Sequence, residues 1–375
     1  MSILHFLYRG AHKCAPRFAG CVRRWLKNER APWELTQEEA DKASYFVDLP
    51  KKPISTIRAE LRQLCMGNNG SYTPAATIEH YFMLGLDCSG TDVTNFIFQQ
   101  RYDGLRNKKQ PRFAAMLKHK YYTAAYLNSQ GINISLPLGE MNAAGQIFNG
   151  GEWKPLKQVL ERDNRTHYFC KLKDGNQGRG HVVIDYLNGK FYKEGKEQTD
   201  AEIYKELDNH TIEPRIIQHP VLNEMYEHAV SNVRLVTLSH EGEVFLYAQA
   251  ILVGSRGGRV SNLGFGGIII GVDSNGVMKG SGIYKSSAGF GATRQHPDSG
   301  IIFDGFQIPM WQEAVGLALR GHAALRDIHS IGWDIAITPQ GPIVIEANDE
   351  WGTMTQCFGG HHHKELIIKY FDLKE

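Results

Sequence analysis

The segment Ile331-Gly-Trp-Asp-Ile-Ala-Ile-Thr-Pro-Gln-Gly-Pro-Ile-Val-Ile-Glu-Ala-Asn348 constrains this chain more than any other, because its turn chemistry decides which side chains face each other. Pro339 suits the second position of a type I turn, and Gly341 suits the left-handed position that follows in a three-residue hairpin loop. That loop pairs Thr338 with Pro342. Equal steps back from the turn set Asp334 opposite Glu346, and the side-chain period of two puts Asn348 on the same face. Trp333, Ile335, Ile337, Ile343 and Ile345 fall on the reverse face and call for a packed setting.

Two carboxylates directly opposed across an antiparallel pair repel each other unless a cation lies between them. Asp, Glu and Asn offer only oxygen ligands, which suits Mg²⁺ or Mn²⁺ bridging nucleotide phosphates rather than zinc. A solvated hairpin with two exposed acids satisfies the same spacing, and the apolar reverse face weighs against it.

A second constellation lies in Tyr168-Phe-Cys-Lys-Leu-Lys-Asp-Gly-Asn-Gln-Gly-Arg-Gly-His181, where Lys171 sits in a strand and three glycines follow closely. Glycines let backbone amides approach phosphates, and a lysine supplies a point charge against them. A glycine-rich turn beside a surface lysine gives the same pattern. Arg234 lies mid-strand among Val233, Leu235 and Val236, where an arginine needs an anion: either a core carboxylate or a phosphate in transfer. Ser261-Asn-Leu-Gly-Phe-Gly-Gly267, preceded by Arg256 and Arg259, offers cationic and amide donors of the kind that hold an anion, unless both arginines are surface charges on a glycine loop. His296 either binds substrate or caps the loop before Pro297.

The rest of the chain divides by texture. From Thr36 to about Asn128 helix start signals recur: the capping box Thr36-Gln-Glu-Glu39, Thr73-Pro74 with proline at a first helical position, and Thr91-Asp92 before an amphipathic run. A helix over Phe113 to Asn128 ends before Gly131, and Ile132 to Pro137 reads as extended. From His167 short strands take over, with a hairpin at Asn188-Gly189, a helix over Asp200 to Leu207, a strand over Glu213 to Gln218 and a strand pair over Val233 to Gly254. A helix runs from Pro309 to about Leu325. Runs of helices followed by mixed strands and helices predict an α+β chain with antiparallel sheets.

Charge and cysteines narrow the partners. Lys and Arg number 42 against 40 Asp and Glu, so no overall field draws the chain onto nucleic acid. Residues 1–30 are locally basic, with Arg9, Lys13, Arg17, Arg23, Arg24, Lys27 and Arg30 among apolar residues. They form either an amphipathic helix on an anionic membrane surface or a basic packed helix, and Pro16 and Gly20 interrupt the first pattern. No run reaches the roughly 18 apolar residues of a membrane span. The six cysteines lack zinc or disulfide-scaffold spacing, so a reducing cytoplasm is the expected setting. Cys357 near His361 to His363 has neither the spacing nor the glycine elbow of a nucleophilic triad.

Over about residues 75 to 358 the chain resembles ATP-grasp enzymes, and more narrowly the sugar-transfer-associated ATP-grasp family. The resemblance is carried by His119-Lys120 with a helix ending at Gly131-Ile132, Asn232-Val-Arg-Leu-Val-Thr237, His296-Pro297 with Gly300, Ile308-Pro309-Met-Trp311, Gly332-Trp-Asp334 and Glu346-Ala-Asn348. It implies an ATP-grasp fold: two α+β subdomains with antiparallel sheets gripping ATP, over residues 131–220 and 221–375, behind a helical region over 1–130. It makes Asp334, Glu346 and Asn348 metal ligands, Lys171 the strand lysine on the α and β phosphates, and Gly175, Gly178 and Gly180 the loop covering them. Lys120 becomes the second nucleotide lysine, although the family usually has Asp before it and this chain has His119. Glu213 and the backbone around Ile216 fall on the hinge strand that reads adenine, with no clear acidic partner for the ribose nearby. Arg234, Arg259, Asn262 and His296 fall at the reaction centre.

The activity implied is an ADP-forming, magnesium-dependent ligation of a carboxylate to an amine through an acyl phosphate, attaching an amino acid or amine to a sugar acid or polysaccharide precursor. Such catalysis is mostly positioning and electrostatics and needs no side-chain nucleophile. An ATP-dependent kinase of a small-molecule or sugar hydroxyl, and a non-catalytic nucleotide-binding protein of glycan assembly, stay open.

Overall fold

The computed structural model describes residues 31, 33–67, 74–96, 99–173, 180–285, 291–352, 354–355, 366 and 369–371. The basic stretch over 1–30, Gly175, Gly178, Cys357 and His361 to His363 lie outside the described residues.

Helices come first. The Thr36 hydroxyl accepts from the Glu39 amide at 3.2 Å and the Glu39 carboxylate accepts from the Thr36 amide at 2.8 Å, so the expected capping box opens α1 (Gln37–Ala43). Next come α2 (Ile54–Gly67), α3 (Pro74–Met83) and α4 (Gln99–Lys109). Asp92 caps only a short 3-10 turn, Val93–Asn95, where a longer run was expected.

The helix expected over Phe113 to Asn128 is broken. A 3-10 turn, Arg112–Lys118, gives way to α5 (Lys120–Ser129), with extended His119 between them. The Thr123 hydroxyl takes the Met116 carbonyl at 2.8 Å, an acceptor that a continuous helix would offer to the Lys120 amide. The break places Lys120 at the start of a helix.

All strand pairings within the two sheets are antiparallel. The first sheet holds β1 (Gly139–Met141), β2 (Gln146–Asn149), β3 (Glu152–Pro155), β4 (His167–Leu172), β5 (Val182–Leu187), β6 (Lys190–Lys193), β7 (Lys196–Gln198) and β8 (His210–Pro214), in the order β3-β2-β1-β8-β4-β5-β6-β7. Asn188 and Gly189, both at positive φ, make the expected two-residue hairpin between β5 and β6. Two helices, α6 (Leu156–Asp163) and α7 (Asp200–Glu206), contribute Leu156, Leu160 and Ile203 to an apolar core with Tyr168, Cys170, Ile184, Phe191 and Ile212 of this sheet. The strand expected over Glu213 to Gln218 stops at Pro214, which leaves Ile216 in an irregular connection leading to α8 (Pro220–Met225).

The second sheet holds β9 (Asn232–His240), β10 (Glu243–Val253), β11 (Ile268–Val272), β12 (Met278–Tyr284), β13 (Ala292–Thr293), β14 (Ser330–Thr338) and β15 (Gly341–Asn348), in the order β13-β12-β11-β10-β9-β14-β15. One face, with Val233, Leu235, Ile251, Ile268, Trp333 and Ile335, packs on α9 (Trp311–Ala324). That helix starts two residues later than expected, after Met310 at φ 52. On the other face Ala250, Ile269 and Ile283 are roofed by Leu35, Ile57, Leu61, Tyr81 and Phe82 of the helical region. Burying so much apolar side-chain surface on both faces makes this sheet the rigid half of the molecule.

The segments on either side of the first sheet, around Asn133 to Ser135 and at His219, are tied to the second sheet by backbone hydrogen bonds. The Ser135 amide donates to the Val344 carbonyl at 2.8 Å, the Val344 amide to the Asn133 carbonyl at 2.9 Å, and the His219 amide to the Ile337 carbonyl at 2.8 Å. Among the described residues no helix is long and apolar enough to cross a membrane.

Candidate active site

The hairpin reaches its expected pairing by an unexpected route. Thr338 pairs with Gly341, not Pro342, so the loop is two residues long and every later partner should shift by one. The Thr338 hydroxyl donates to the Gly341 carbonyl at 2.7 Å and accepts from the Gln340 amide at 3.2 Å, which draws the tighter turn closed. An extra residue, Ile345, then bulges out between the pairs Ile335 with Val344 and Asp334 with Glu346, and the two irregularities cancel. The bulge also corrects the reverse face. Val344 is the residue fully buried beneath, whereas Ile343 and Ile345 are half-buried.

Asp334 is the most heavily engaged of the acids. Its Oδ1 accepts from the Asn232 amide group at 2.6 Å and from Arg234 Nη1 at 2.5 Å, and its Oδ2 from Asn348 Nδ2 at 3.3 Å. Asn232 in turn accepts from the Ile335 amide at 3.1 Å, which locks its orientation. The anion that Arg234 needs is therefore Asp334. Arg234 and Asp334 are directly paired across β9 and β14, so strand register alone delivers the contact.

Gly332 makes room for this arrangement. A Cβ there would lie 2.8 Å from the Trp351 Cβ and 3.4 Å from Arg234 Nη2. Gly332→Ala is expected to displace Arg234, costing about 1–3 kcal/mol of stability by overpacking and about tenfold in turnover; denaturant unfolding beside steady-state rates checks it.

Across the cleft the first sheet presents Lys171, and α5, packed into the core of the second sheet, presents Lys120. Lys171 Nζ lies 2.8 Å from Glu213 Oε2, which also accepts from the Ser135 hydroxyl at 2.8 Å. Burial opposes the charge on Lys171, but Glu213 beside it, helped by Glu346 and Asp334, outweighs burial and holds its pKa above the ordinary value. The Glu213 side chain, expected to face an adenine amino group, is instead buried against the strand lysine. Lys120 Nζ lies 3.5 Å from the Leu172 carbonyl and 3.9 Å from Glu346 Oε1. Burial pushes the Glu346 carboxyl upward, Lys120 opposes that, and Asp334 adds to it. Lys120, Thr123, Ser135, Glu213 and Glu346, with apolar Leu117, Ala124, Ile134, Ile345 and Ala347, line a narrow cleft.

The remaining expected residues sit elsewhere. Gly180, at φ 67, offers its carbonyl to His210 Nε2 at 2.8 Å. Asn262 accepts from the Gly264 amide at 2.8 Å and caps the short turn Leu263–Phe265. Arg259 pairs with Glu194 of the β6–β7 turn at 3.3 Å, both more than half exposed. Arg256 lies over the Tyr284 ring, 5.6 Å from its centroid. His296 takes the capping role of its two readings: fully buried, it meets the Gly254 carbonyl through Nε2 at 2.8 Å and the Asp298 and Ser299 amides through Nδ1 at 3.3 and 3.4 Å. Burial lowers its pKa, so the neutral ring suits that cap.

Sequence reasoning gave Asn232 and His322 no role. Asn232 was legible, since the period of two sets it on the Arg234 face. His322 carried no such signal: it is buried under Trp333 by tertiary packing, with Nδ1 2.6 Å from the Thr237 hydroxyl that also accepts from Trp333 Nε1 at 2.8 Å.

Among the described residues no group of three or more His, Cys, Asp or Glu could hold a metal. Asp334, Glu346 and Asn348 offer two carboxylates and an amide, oxygen donors of the kind a hard divalent cation takes.

Two antiparallel sheets, the first carrying Lys171 and the second the opposed acids Asp334 and Glu346, with Lys120 on a helix beside them, make an ATP-grasp fold. The profile of the sugar-transfer associated ATP-grasp family matches residues 98–366, and the chain belongs to that family. Among solved structures it is similar to a carboxyaminoimidazole ribonucleotide synthase from Aspergillus clavatus complexed with ATP (13% identity, TM-score 0.42), with 75% of this chain and 59% of that one covered. It is also similar to the VanG D-Ala:D-Ser ligase from Enterococcus faecalis (10% identity, TM-score 0.41; 70% and 64% covered). A third is a D-alanyl-alanine synthetase A from Vibrio cholerae (9% identity, TM-score 0.41; 70% and 66% covered). The chain thus spans less than two thirds of the first two structures' lengths. No curated protein matches it in sequence.

Proposed function

We propose that this chain is an ATP-dependent ligase that joins a carboxylate to an amine through an acyl phosphate, with a sugar acid or polysaccharide precursor as one substrate and an amino acid or small amine as the other. The observation that carries this reading is the gathering of Asp334 and Glu346, paired across β14 and β15, with Arg234 on Asp334, Lys120 3.9 Å from Glu346, and Lys171 close enough to feel both acids. Cations and acids gathered in this way suit a magnesium triphosphate. When bound, the magnesium nucleotide supplies a transferable phosphoryl group that makes a carboxylate reactive toward an amine.

The chain's own groups provide positioning and charge. Lys171 and Lys120 neutralise the inner phosphates, and the amides of the Gly175, Gly178 and Gly180 segment cover them. Asp334, Glu346 and Asn348 hold the metal ions, and Arg234, already anchored on Asp334, supplies positive charge where negative charge develops. Arg259 and Asn262, in the loop that follows β10, serve the acceptor side. Apolar Ile134, Ile345 and Ala347 suit a nucleobase, with the chain around Glu213 and Ile216 along its edge. Residues 131–220 and 221–375 act as the two gripping subdomains, with 1–130 as the helical region before them. Unpaired Cys65, Cys88 and Cys170 suit a cytoplasmic setting.

A phosphate-release screen tests this, crossing carboxylic acids, uronic acids first, with amino acids and amines in the presence of ATP and Mg²⁺. Release that requires both an acid and an amine is the expected result. A stable phosphorylated hydroxyl would make the chain a kinase, and nucleotide binding without turnover across the panel would make it non-catalytic.

A further inference from the structure

On the cleft face of the first sheet the Lys171–Glu213 unit has a neighbour. Glu140 of β1, Thr211 of β8 and Lys171 of β4 stand on one rung, since Glu140 pairs with Thr211 and Thr211 with Lys171. Two residues beyond Lys171, and on the same side by strand alternation, Lys173 reaches across β8 to Glu140 Oε2 at 2.6 Å. The sheet therefore repeats one device: a lysine of the β4 line held by a glutamate two strands away or next door.

The second pair is not a plain surface bridge. Glu140 is largely buried, and its other oxygen, Oε1, is shielded from water without a hydrogen-bond donor. His119 Nδ1, just ahead of Lys120 at the start of α5, lies 3.9 Å from that oxygen, beyond hydrogen-bond reach. A carboxylate oxygen buried without a donor is costly, and a solvated pair of the same strength needs no such burial. What the burial achieves is a fixed ammonium: Lys173 is held by Glu140 on the face of the sheet that also carries Lys171.

We propose that Lys173 is a third phosphate-binding lysine of this site and that Glu140 is its positioning residue, with Glu140 Oε1 taking His119 as donor when the phosphates draw α5 and the first sheet together. This rests on the reading of the cleft as a nucleotide site. Lys173 would act on the phosphate chain, not on the base.

The test is calorimetric titration of the full-length chain with ADP and with AMP, each with Mg²⁺. Lys173→Met is expected to weaken ADP by about tenfold and AMP by less than twofold, the scale of one charge-assisted contact to a phosphate present in ADP alone. Glu140→Gln is expected to weaken ADP in the same direction, and the double variant to bind no more weakly than Lys173→Met, because both remove one unit. Glu140→Asp, which keeps the charge, should recover part of the loss. ADP affinity unchanged in Lys173→Met, or equal losses for ADP and AMP, overturns the proposal. Lack of ADP binding by the unsubstituted chain removes the nucleotide reading and this proposal with it, whereas normal binding with an indifferent Lys173 removes the proposal alone. Thermal unfolding of each variant identifies any loss that comes from misfolding, and in that case Lys173→Arg, which keeps charge and length, should restore ADP binding if the contact is real.

Discussion

Asp334→Asn is expected to lower turnover by about a thousandfold or more while shifting thermal unfolding by only a few degrees. The substitution is nearly isosteric. The Asn carbonyl oxygen can keep the two donors that Asp334 Oδ1 now receives from Asn232 and Arg234, and the new amino group can meet Asn348 once its amide turns over. What disappears is the negative charge. Without it the divalent cation loses a ligand, and Arg234 loses the counter-charge that holds it in place, so two of the groups assigned to the developing charge are weakened together. Glu346→Gln should act in the same direction, since it removes the second of the two opposed charges at a position where burial already opposes charge, so that the fold is little affected. Unfolding curves and initial rates, with Mg²⁺ varied, check both. Turnover at the unsubstituted level in either variant would remove the metal assignment, whereas loss of the folded state would show that the pair is structural.

The hairpin illustrates what was legible. Opposition of Asp334 to Glu346 follows from turn residues and alternation, yet the actual loop is one residue shorter and Ile345 restores the register by bulging. Neither irregularity leaves a mark in composition, because a bulge is decided by what packs beneath it: Val344 is drawn into the core under Ile335, and Ile345 is left for the cleft. Arg234 was legible for a similar reason, as a mid-strand arginine demands an anion. The loop residues were not. Asn262 and His296 have the right chemistry for a reaction centre, but each finds backbone groups close by and is used to cap a turn. Local hydrogen bonding of that kind competes with function at any Asn or His in a glycine-rich loop, and only coordinates decide between them. The break at His119 was likewise invisible: there the Met116 carbonyl accepts from the His119 amide at 2.9 Å and from the Thr123 hydroxyl, contacts that leave no mark in composition.

Acid is expected to destabilise the fold through His322, and more steeply than the surface histidines would. The ring has no solvent exposure, its Nε2 lies 2.8 Å from the Ile328 carbonyl, and its Nδ1 lies 2.6 Å from the Thr237 hydroxyl. Thr237 Oγ1 takes the Trp333 Nε1 proton, so its own proton goes to Nδ1, and Nε2 carries the ring's single proton. Burial therefore drops the His322 pKa from its ordinary 6.5 to about 4. A group that binds its proton less well when folded stabilises the native state above its unfolded pKa and withdraws that stability as pH falls. The loss begins near 6.5 and is complete near 4, about 3 kcal/mol over the window and about 2 kcal/mol by pH 5. His296, lowered for the same reason, adds to it. Because Trp333 adjoins Asp334, protonation of His322 should loosen β14 at the metal hairpin, so turnover and stability ought to fall together in acid. His322→Gln retains a donor for Ile328 but leaves the Thr237 proton without its acceptor. That variant should be weaker by about 1–3 kcal/mol at neutral pH and flatter between pH 6.5 and 4. Denaturant unfolding at pH 7.5 and pH 5 measures both quantities, and an equally steep acid loss in the variant would place the proton elsewhere.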